Sequence, residues 1–125
     1  MDRVRLITHG NKQILLVDCS GCTSSDLFRL IDEVPGHVRL HPRGSLLLLA
    51  DFSNAEFTRD VVERLKVATV FDRPHLKRSA WVVTANLPPV LYESIKTFSG
   101  RELPLFGDRE SALEYLVAEE TKPVS

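Results

Sequence analysis

A continuous apolar run, Leu46-Leu47-Leu48-Leu49-Ala50, is the feature of this sequence that most restricts the fold it can adopt. The run is too short for a typical helix, and it lacks the polar alternation of a strand with one face in water. Strands of this kind are buried on both faces and are typical of parallel sheets. The sequence therefore predicts a central β-strand that ends at Asp51 and is covered on both sides.

Strand patterns recur on both sides of this run. Residues 4–9 and 13–17 are strand-like, and the Gly10-Asn11 connection between them suits a tight hairpin, so we expect these two strands to be antiparallel. Residues 80–84 and 103–106 predict two further strands. Alternation within the first of these places Trp81 on the same buried face as Val83.

Apolar residues at helical spacing predict a helix on each side of the central strand. The first covers residues 27–34, and we expect Pro35-Gly36 to end it. The second follows Thr58, a candidate N-cap, and its apolar stripe leaves Arg64 and Lys66 turned outward.

Two more helices follow in the C-terminal part of the chain. Pro88 and Pro89 suit the first turn of a helix that carries Ile95 and Phe98 toward the core and ends at Gly100. Asp108 is the candidate N-cap of the last helix. The order of elements predicts an α/β domain over residues 1–120, with about five strands, mostly parallel, one antiparallel N-terminal strand, four helices and a loose tail at 121–125.

Charge and motifs exclude several classes of function. Sixteen Lys and Arg against seventeen Asp and Glu give a net charge of -1, too balanced for a domain that binds nucleic acid mainly through its phosphates. Residues 1–5 lead into no long apolar segment, so we expect no signal peptide or membrane span and a cytoplasmic location. Nucleotide-loop and nucleophile-elbow motifs are missing, and His37 and His41 lack a third ligand nearby. We therefore predict no catalytic residue, metal or cofactor.

Cys19-Ser20-Gly21-Cys22 supports two interpretations. The segment lies between a predicted strand and a predicted helix, where a thiol-redox pair would be placed. Free cysteines more often act as small buried apolar residues, and this interpretation is preferred. A thiol-redox protein remains the less favoured alternative.

Charged residues divide between the two ends of the predicted strands. Lys12, Arg43, Lys77 and Arg78 precede strands, whereas Asp18 and Asp51 follow them. One edge of a parallel sheet should therefore be basic and the other acidic. Complementation of helix dipoles explains such a pattern and is preferred, and a binding surface at Arg43, Lys77 and Arg78 is the alternative.

Two stretches of the chain resemble a known family. One is Leu46-Leu47-Leu48-Leu49-Ala50-Asp51-Phe52-Ser53-Asn54-Ala55-Glu56-Phe57, and the other is Arg73-Pro74-His75-Leu76-Lys77-Arg78-Ser79-Ala80-Trp81-Val82-Val83, followed by Phe98-Ser99-Gly100-Arg101 and by residues 106–113. These motifs resemble the SpoIIAA-like STAS/SEC14 domains, small bacterial proteins related to anti-sigma factor antagonists. The resemblance implies a STAS-like fold and a non-enzymatic regulatory or protein-interaction module.

The resemblance also implies where a partner or ligand would bind. Partner contact would use the loop from Asp51 to Asp60 and the exposed face of the second helix, with candidate residues Asp51, Ser53, Thr58, Asp60 and Arg64. Asp60 stands about where STAS regulators carry a phosphorylatable serine, so the phosphoserine switch should be missing. The SEC14 side of the resemblance implies instead a small lipophilic ligand, with candidate pocket residues Thr84, Asn86, Tyr92 and Phe98.

Overall fold

Strands and helices alternate through residues 3–100 and 104–118, which are the residues that the computed structural model describes. The strands in these ranges are β1 (Val4–His9), β2 (Lys12–Asp18), β3 (Leu46–Asp51), β4 (Leu76–Val82) and β5 (Leu105–Phe106). The α-helices there are α1 (Ser24–Val38), α2 (Arg59–Asp72), α3 (Pro89–Ser99) and α4 (Arg109–Val117), and a short 3-10 helix covers Arg73–His75. The predicted α/β class is confirmed, and the tail at 121–125 lies outside the described residues.

The sheet is mixed and follows the order of the chain. Its strands lie in the order β1-β2-β3-β4-β5. β1 pairs antiparallel with β2, and the remaining pairs are parallel, as predicted. Gly10 and Asn11 have φ of 54° and 63°, the two left-handed residues that a type I′ hairpin turn requires.

Each face of the sheet has its own apolar core. Because parallel crossovers are right-handed and the strands follow one another in order, successive crossover helices must lie on the same face. Residues of α1, α2 and α3, such as Leu27, Val61 and Ile95, accordingly join one core. Ala112 and Leu116 of α4 belong to the core on the opposite face. β3 is buried along its whole length between these two layers, as predicted.

The first predicted strand after the central one is longer and begins earlier than the sequence indicates. β4 starts at Leu76 rather than near residue 80, so Lys77 and Arg78 lie inside the strand and not before it. An irregularity in its pairing with β3 follows Leu46 and accommodates this polar segment. Trp81 is 4% exposed and shares its core with Val83, which confirms the predicted alternation.

Two expectations about the helices are wrong. α1 continues past Pro35 to Val38, because Val34 and Val38 are both buried and their packing outweighs the hydrogen bond that proline cannot donate. Phe98 is 56% exposed, although Ile95 of the same helix is fully buried. A side chain three positions further along a helix points about 60° away from the first one. Phe98 therefore lies beside α2 instead of under α3.

Candidate functional site

The loop that follows β3 begins with a buried carboxylate. Asp51 is 5% exposed, and its Oδ1 accepts hydrogen bonds from the Ser53 backbone N–H at 2.9 Å and from Ser53 Oγ at 2.6 Å. The side chain of Asp51 therefore fixes the first turn of the loop. Ser53 serves as the donor in this turn, which is the role of a structural turn residue.

Arg109, at the start of α4, compensates the charge of Asp51 from the face of the sheet that α4 covers. Its Nε and Nη2 donate to Asp51 Oδ2 at 3.0 and 2.7 Å, and Nη2 lies 3.5 Å from Asp18 Oδ1. Asp18 and Asp51 are paired residues of β2 and β3, so a single guanidinium joins two strands to the start of α4. Burial by itself would raise the pKa of Asp18, but hydrogen bonds from Ser20 and the charge of Arg109 hold this pKa below its usual range.

Sequence reasoning missed Arg109, although a signal was present. A cation in the first turn of a helix opposes the helix dipole, so an arginine directly after the N-cap Asp108 should have a specific anionic partner. The acidic edge is thus a compensated structural cluster.

Neighbouring loops hold the Asp51 to Asp60 loop in place. Its Ser53 carbonyl accepts from the Gly21 N–H at 2.8 Å, and the Glu56 N–H donates to the Cys22 carbonyl at 2.9 Å. On the other side, Asn86 Nδ2 donates to the carbonyls of Phe52 and Ala55 at 2.9 and 2.8 Å. The loop is therefore a rigid surface attached to both adjacent strand ends.

Thr84 and Asn86 are two of the residues predicted to line a ligand pocket. Their side chains take part in the hydrogen bonds that hold this loop. Thr84 Oγ1 donates to Asn86 Oδ1 at 2.9 Å, and it accepts from the Asn54 N–H at 3.1 Å. Asn54 has a φ of 57°, a left-handed conformation that asparagine tolerates better than most residues. Both polar side chains stabilise the loop after β3 rather than facing a cavity.

Thr58 and Asp60 define the start of α2. Thr58 Oγ1 accepts from the Val61 N–H at 3.2 Å, so the predicted N-cap is confirmed. Asp60 is exposed in the first turn, where a negative charge is favourable to the helix dipole.

The expected charged outward face of α2 is found only in part, because Arg64 is exposed whereas Lys66 is mostly buried. Arg64 forms an ion pair with Asp32 of α1, and its guanidinium lies 5.4 Å from the centroid of the Phe28 ring. Lys66 pairs with Glu63 at 2.9 Å and is only 15% exposed. Arg64 therefore links α2 to α1, whereas the Lys66 ion pair lies within α2.

Apolar residues occupy several outward positions of α2 as well. Val67, Val70 and Phe71 are 61%, 45% and 50% exposed. Their i, i+3, i+4 spacing places them on one face of the helix, opposite to the buried Val61 and Leu65. A stripe of this kind is the usual contact surface for another helix. The sequence indicated it through apolar residues at positions on both faces of α2.

A mainly apolar cavity of about 60 Å³ lies between the sheet and the helices α1 and α2. Leu48, Leu65 and Trp81 are among the residues that line it, and none of the four predicted pocket residues does so. Tyr92 packs against the core on this face, with Lys96 Nζ 5.6 Å from its ring centroid. Phe98 lies on the surface with Lys66 Nζ 6.0 Å from its centroid.

The two cysteines are buried at the end of β2. Cys19 and Cys22 are 1% and 2% exposed, and both are free thiols. Burial raises the pKa of each thiol above its ordinary value, most strongly for Cys19, where Cys22 and Asp18 add to the effect. A raised pKa lowers the fraction of reactive thiolate at neutral pH.

The basic edge divides into two parts. Lys12 Nζ donates to the Val117 carbonyl at 3.3 Å, and Arg78 Nη1 donates to the carbonyls of Tyr115 and Ala118 at 2.9 Å. These cations complement the C-terminal end of α4, as the helix-dipole interpretation predicts. Arg43 and Lys77 are exposed and remain candidates for a binding surface.

Across residues 3–100 and 104–118, no three or more His, Cys, Asp and Glu side chains form a group that could hold a metal ion. The helices of that same part of the chain include none with the length and apolar character that crossing a membrane requires. Comparisons with models of known families, with curated proteins and with solved structures gave no match to this chain.

Proposed function

We propose that this chain is a non-enzymatic regulatory or protein-interaction module of the STAS type, without a phosphoserine switch, and that it acts in the bacterial cytoplasm. The observation that carries the proposal is the apolar stripe of Val67, Val70 and Phe71 on the outward side of α2. Large side chains exposed side by side mark interaction surfaces in soluble proteins. The stripe lies in the C-terminal half of the second helix, whose exposed face is part of the partner-binding surface that the STAS resemblance implies.

The properties of α2 fit this role. Its opposite side is buried against the sheet, and Thr58 caps its first turn, so the stripe is presented on a fixed scaffold. Asp60 supplies a permanent negative charge at the start of the helix, where phosphorylation would place a reversible one. A partner would therefore meet the same surface at all times.

The size of the apolar cavity favours an interaction module over a lipophilic-ligand carrier. Pockets for small ligands usually measure about 300 to 1,000 Å³, whereas this cavity is about 60 Å³. A carrier that used this cavity would need α1 and α2 to move apart before a lipid could enter. The raised pKa values of Cys19 and Cys22 likewise weigh against the thiol-redox alternative.

Affinity capture with matched variants tests the proposal. Val67→Glu places a charge in the stripe, and Leu6→Glu places one at a 47% exposed leucine on β1, away from α2. We expect a set of proteins that the wild type and Leu6→Glu retain and that Val67→Glu loses, while circular dichroism shows all three folded. Equal capture by both variants would show that the stripe binds no partner.

A further inference from the structure

β1 forms one open edge of the sheet. It comes first in the strand order, and β2 is its one partner strand within the described chain. β1 has 6 residues, lacks proline and keeps an unbroken register with β2. Arg5, Leu6 and Thr8 are exposed, so the helices leave most of the strand uncovered. Native sheets usually protect such an edge with prolines, bulges, inward-pointing charges or a very short strand.

The hairpin between β1 and β2 decides which backbone groups of β1 face outward. The Asp18 N–H donates to the Arg3 carbonyl at 2.7 Å, so the backbone of Arg3 faces β2. Because this direction alternates along an antiparallel strand, every second residue after Arg3 also faces β2. The residues between them, Val4, Leu6 and Thr8, direct their N–H and C=O groups away from the sheet. Within the described chain, these outward groups have no hydrogen-bond partner.

The opposite edge of the sheet is too short for such pairing. β5 has 2 residues, and the Phe106 carbonyl accepts from the Val83 N–H at 2.9 Å, so the backbone of Phe106 faces β4. The Pro104 carbonyl likewise accepts from the Trp81 N–H at 3.0 Å. Leu105 is therefore the one residue of β5 whose backbone faces outward. In the described part of the chain, a further strand can be added at β1 and not at β5.

We propose that the open edge of β1 pairs with β1 of a second copy of this chain, about a two-fold axis perpendicular to the sheet. The two strands are then antiparallel, with Leu6 opposite Leu6 of the other copy and Val4 opposite Thr8 of the other copy. The two sheets become one continuous sheet. Both copies present α2 on the same side of it, so the dimer carries two apolar stripes. This inference goes beyond the proposed role of α2 and does not depend on it.

Hydrogen-bond geometry selects this arrangement. A two-fold axis parallel to the strands would set each outward N–H against the same N–H of the other copy, so no hydrogen bond would form. In the antiparallel arrangement centred on Leu6, every outward N–H of Val4, Leu6 and Thr8 meets a carbonyl. Any other register leaves at least one of these residues without a partner. The edge is thus complementary to itself, which is what a symmetric interface requires.

Side chains at the edge favour a second copy over an unrelated peptide. Leu6 is 47% exposed and would pack against its own copy across the axis. Val4 and Thr8 are β-branched, and such pairs stabilise adjacent strands. Arg5 lies opposite Ile7 of the other copy, and the two Arg5 side chains stand at diagonal positions, where their repulsion opposes association. An unrelated peptide would have to supply this matching pattern, whereas a second copy has it by symmetry.

Amide hydrogen exchange, measured by NMR at several protein concentrations, gives the first test. The N–H groups of Leu6 and Thr8 are hydrogen-bonded in the dimer alone, whereas that of Ile7 is bonded to β2 in both states. We expect exchange at Leu6 and Thr8 to slow at least about twofold as the concentration rises to about 1 mM. Exchange at Ile7 should not change in the same way. One strand from each copy makes a small interface, so we expect the dimer to be weak and reversible.

Sedimentation equilibrium of matched variants gives the second test. Thr8→Pro removes an outward N–H that β2 does not use, and proline is tolerated at such edge positions. We expect at least about tenfold weaker association, because the symmetric contact loses this hydrogen bond twice. Thr8→Val keeps the N–H and should associate like the wild type, as should Val67→Glu, which lies on α2. Circular dichroism checks that each variant is folded.

The outcomes separate this inference from the proposed function. A wild type that stays monomeric up to about 1 mM, the weak limit of specific affinities, overturns the inference. A dimer that Thr8→Pro leaves as strong as the wild type does so too, as does one in which Leu6 and Thr8 exchange as fast as in the dilute protein. Protection of these amides by a different protein, with this chain still monomeric, would assign the edge to a peptide instead.

The capture experiment on α2 is unaffected by these results. Each copy carries its own stripe, so Val67→Glu loses captured proteins whether or not β1 pairs. Leu6→Glu should weaken the dimer, because two carboxylates would meet at the axis, and it leaves the stripe of each copy intact. The two variants therefore report on two separate surfaces.

Discussion

Removal of the Trp81 ring should strongly destabilise the protein. Trp81 is 4% exposed and lies edge-on to Phe52, with the ring centroids 4.9 Å apart and an interplanar angle of 66°. Truncation of a buried Trp to Ala usually costs about 3 to 5 kcal/mol. Loss of the contact with Phe52 raises the cost by roughly 0.5 to 1.5 kcal/mol.

The cavity beside Trp81 reduces the expected loss of stability. The ring already lines an empty volume of about 60 Å³, so on that side it lacks neighbouring atoms whose contacts could be lost. Taking both effects together, we expect Trp81→Ala to lower the free energy of unfolding by about 4 kcal/mol. For a domain of this length, that corresponds to a melting temperature lower by roughly 12 to 20 °C.

Urea unfolding followed by circular dichroism is the appropriate assay, because Trp81 is the single tryptophan of the chain and the variant has no tryptophan fluorescence. Trp81→Phe should lower the free energy of unfolding by well under half as much, because it keeps a ring against Phe52. Val90→Ala, at a 78% exposed position, should change stability by no more than about 0.5 kcal/mol. A loss below about 1 kcal/mol for Trp81→Ala would refute the burial and the β4 register described above.

Three further predictions follow from the caps, the ion cluster and the thiols. Thr58→Ala should cost about 1 kcal/mol in urea unfolding because α2 loses its N-cap, and Thr58→Ser should restore most of this. Arg109→Met should cost roughly 1 to 3 kcal/mol, since it leaves the Asp51 carboxylate buried without its cation, and a much smaller loss in the Asp51→Asn background would show that the two act as a pair. Burial raises the pKa of Cys19 above its ordinary 9.0, so the folded chain keeps a proton that the unfolded chain loses. The free energy of unfolding should therefore fall as pH rises above about 9, and a Cys19→Ala variant whose pH profile matches the wild type would contradict this.

The architecture could be predicted because local signals and tertiary packing agree. The apolar run at 46–50 identified the central strand, and Thr58 and Asp108 marked helix starts that their hydrogen bonds confirm. Where local and tertiary signals conflict, the sequence misleads. Pro35 indicates a helix end, but the burial of Val38 continues α1 for another turn.

The candidate site was less predictable, because its contacts join residues far apart in the chain. Arg109 contacts Asp51 across 58 positions, and Asn86 braces the carbonyl of Ala55 across 31. No local pattern encodes such pairs. The sequence shows valines and a phenylalanine on both sides of α2. Composition alone could not say which side the sheet would cover and which side would form the outward stripe. The assignment to a STAS-type module remains a prediction.

The coincidence of strand order with chain order also bears on how the protein folds during synthesis. Each strand that leaves the ribosome finds its sheet neighbour already made, so the sheet can grow by addition at one edge without rearrangement. The core between the sheet and α1, α2 and α3 closes progressively in this process. The opposite face, with Ile14, Leu16 and Leu49, stays open until α4 arrives at the end. A nascent chain that stalls before residue 109 would therefore expose an apolar sheet surface, and we expect it to depend on chaperones far more than the finished protein does.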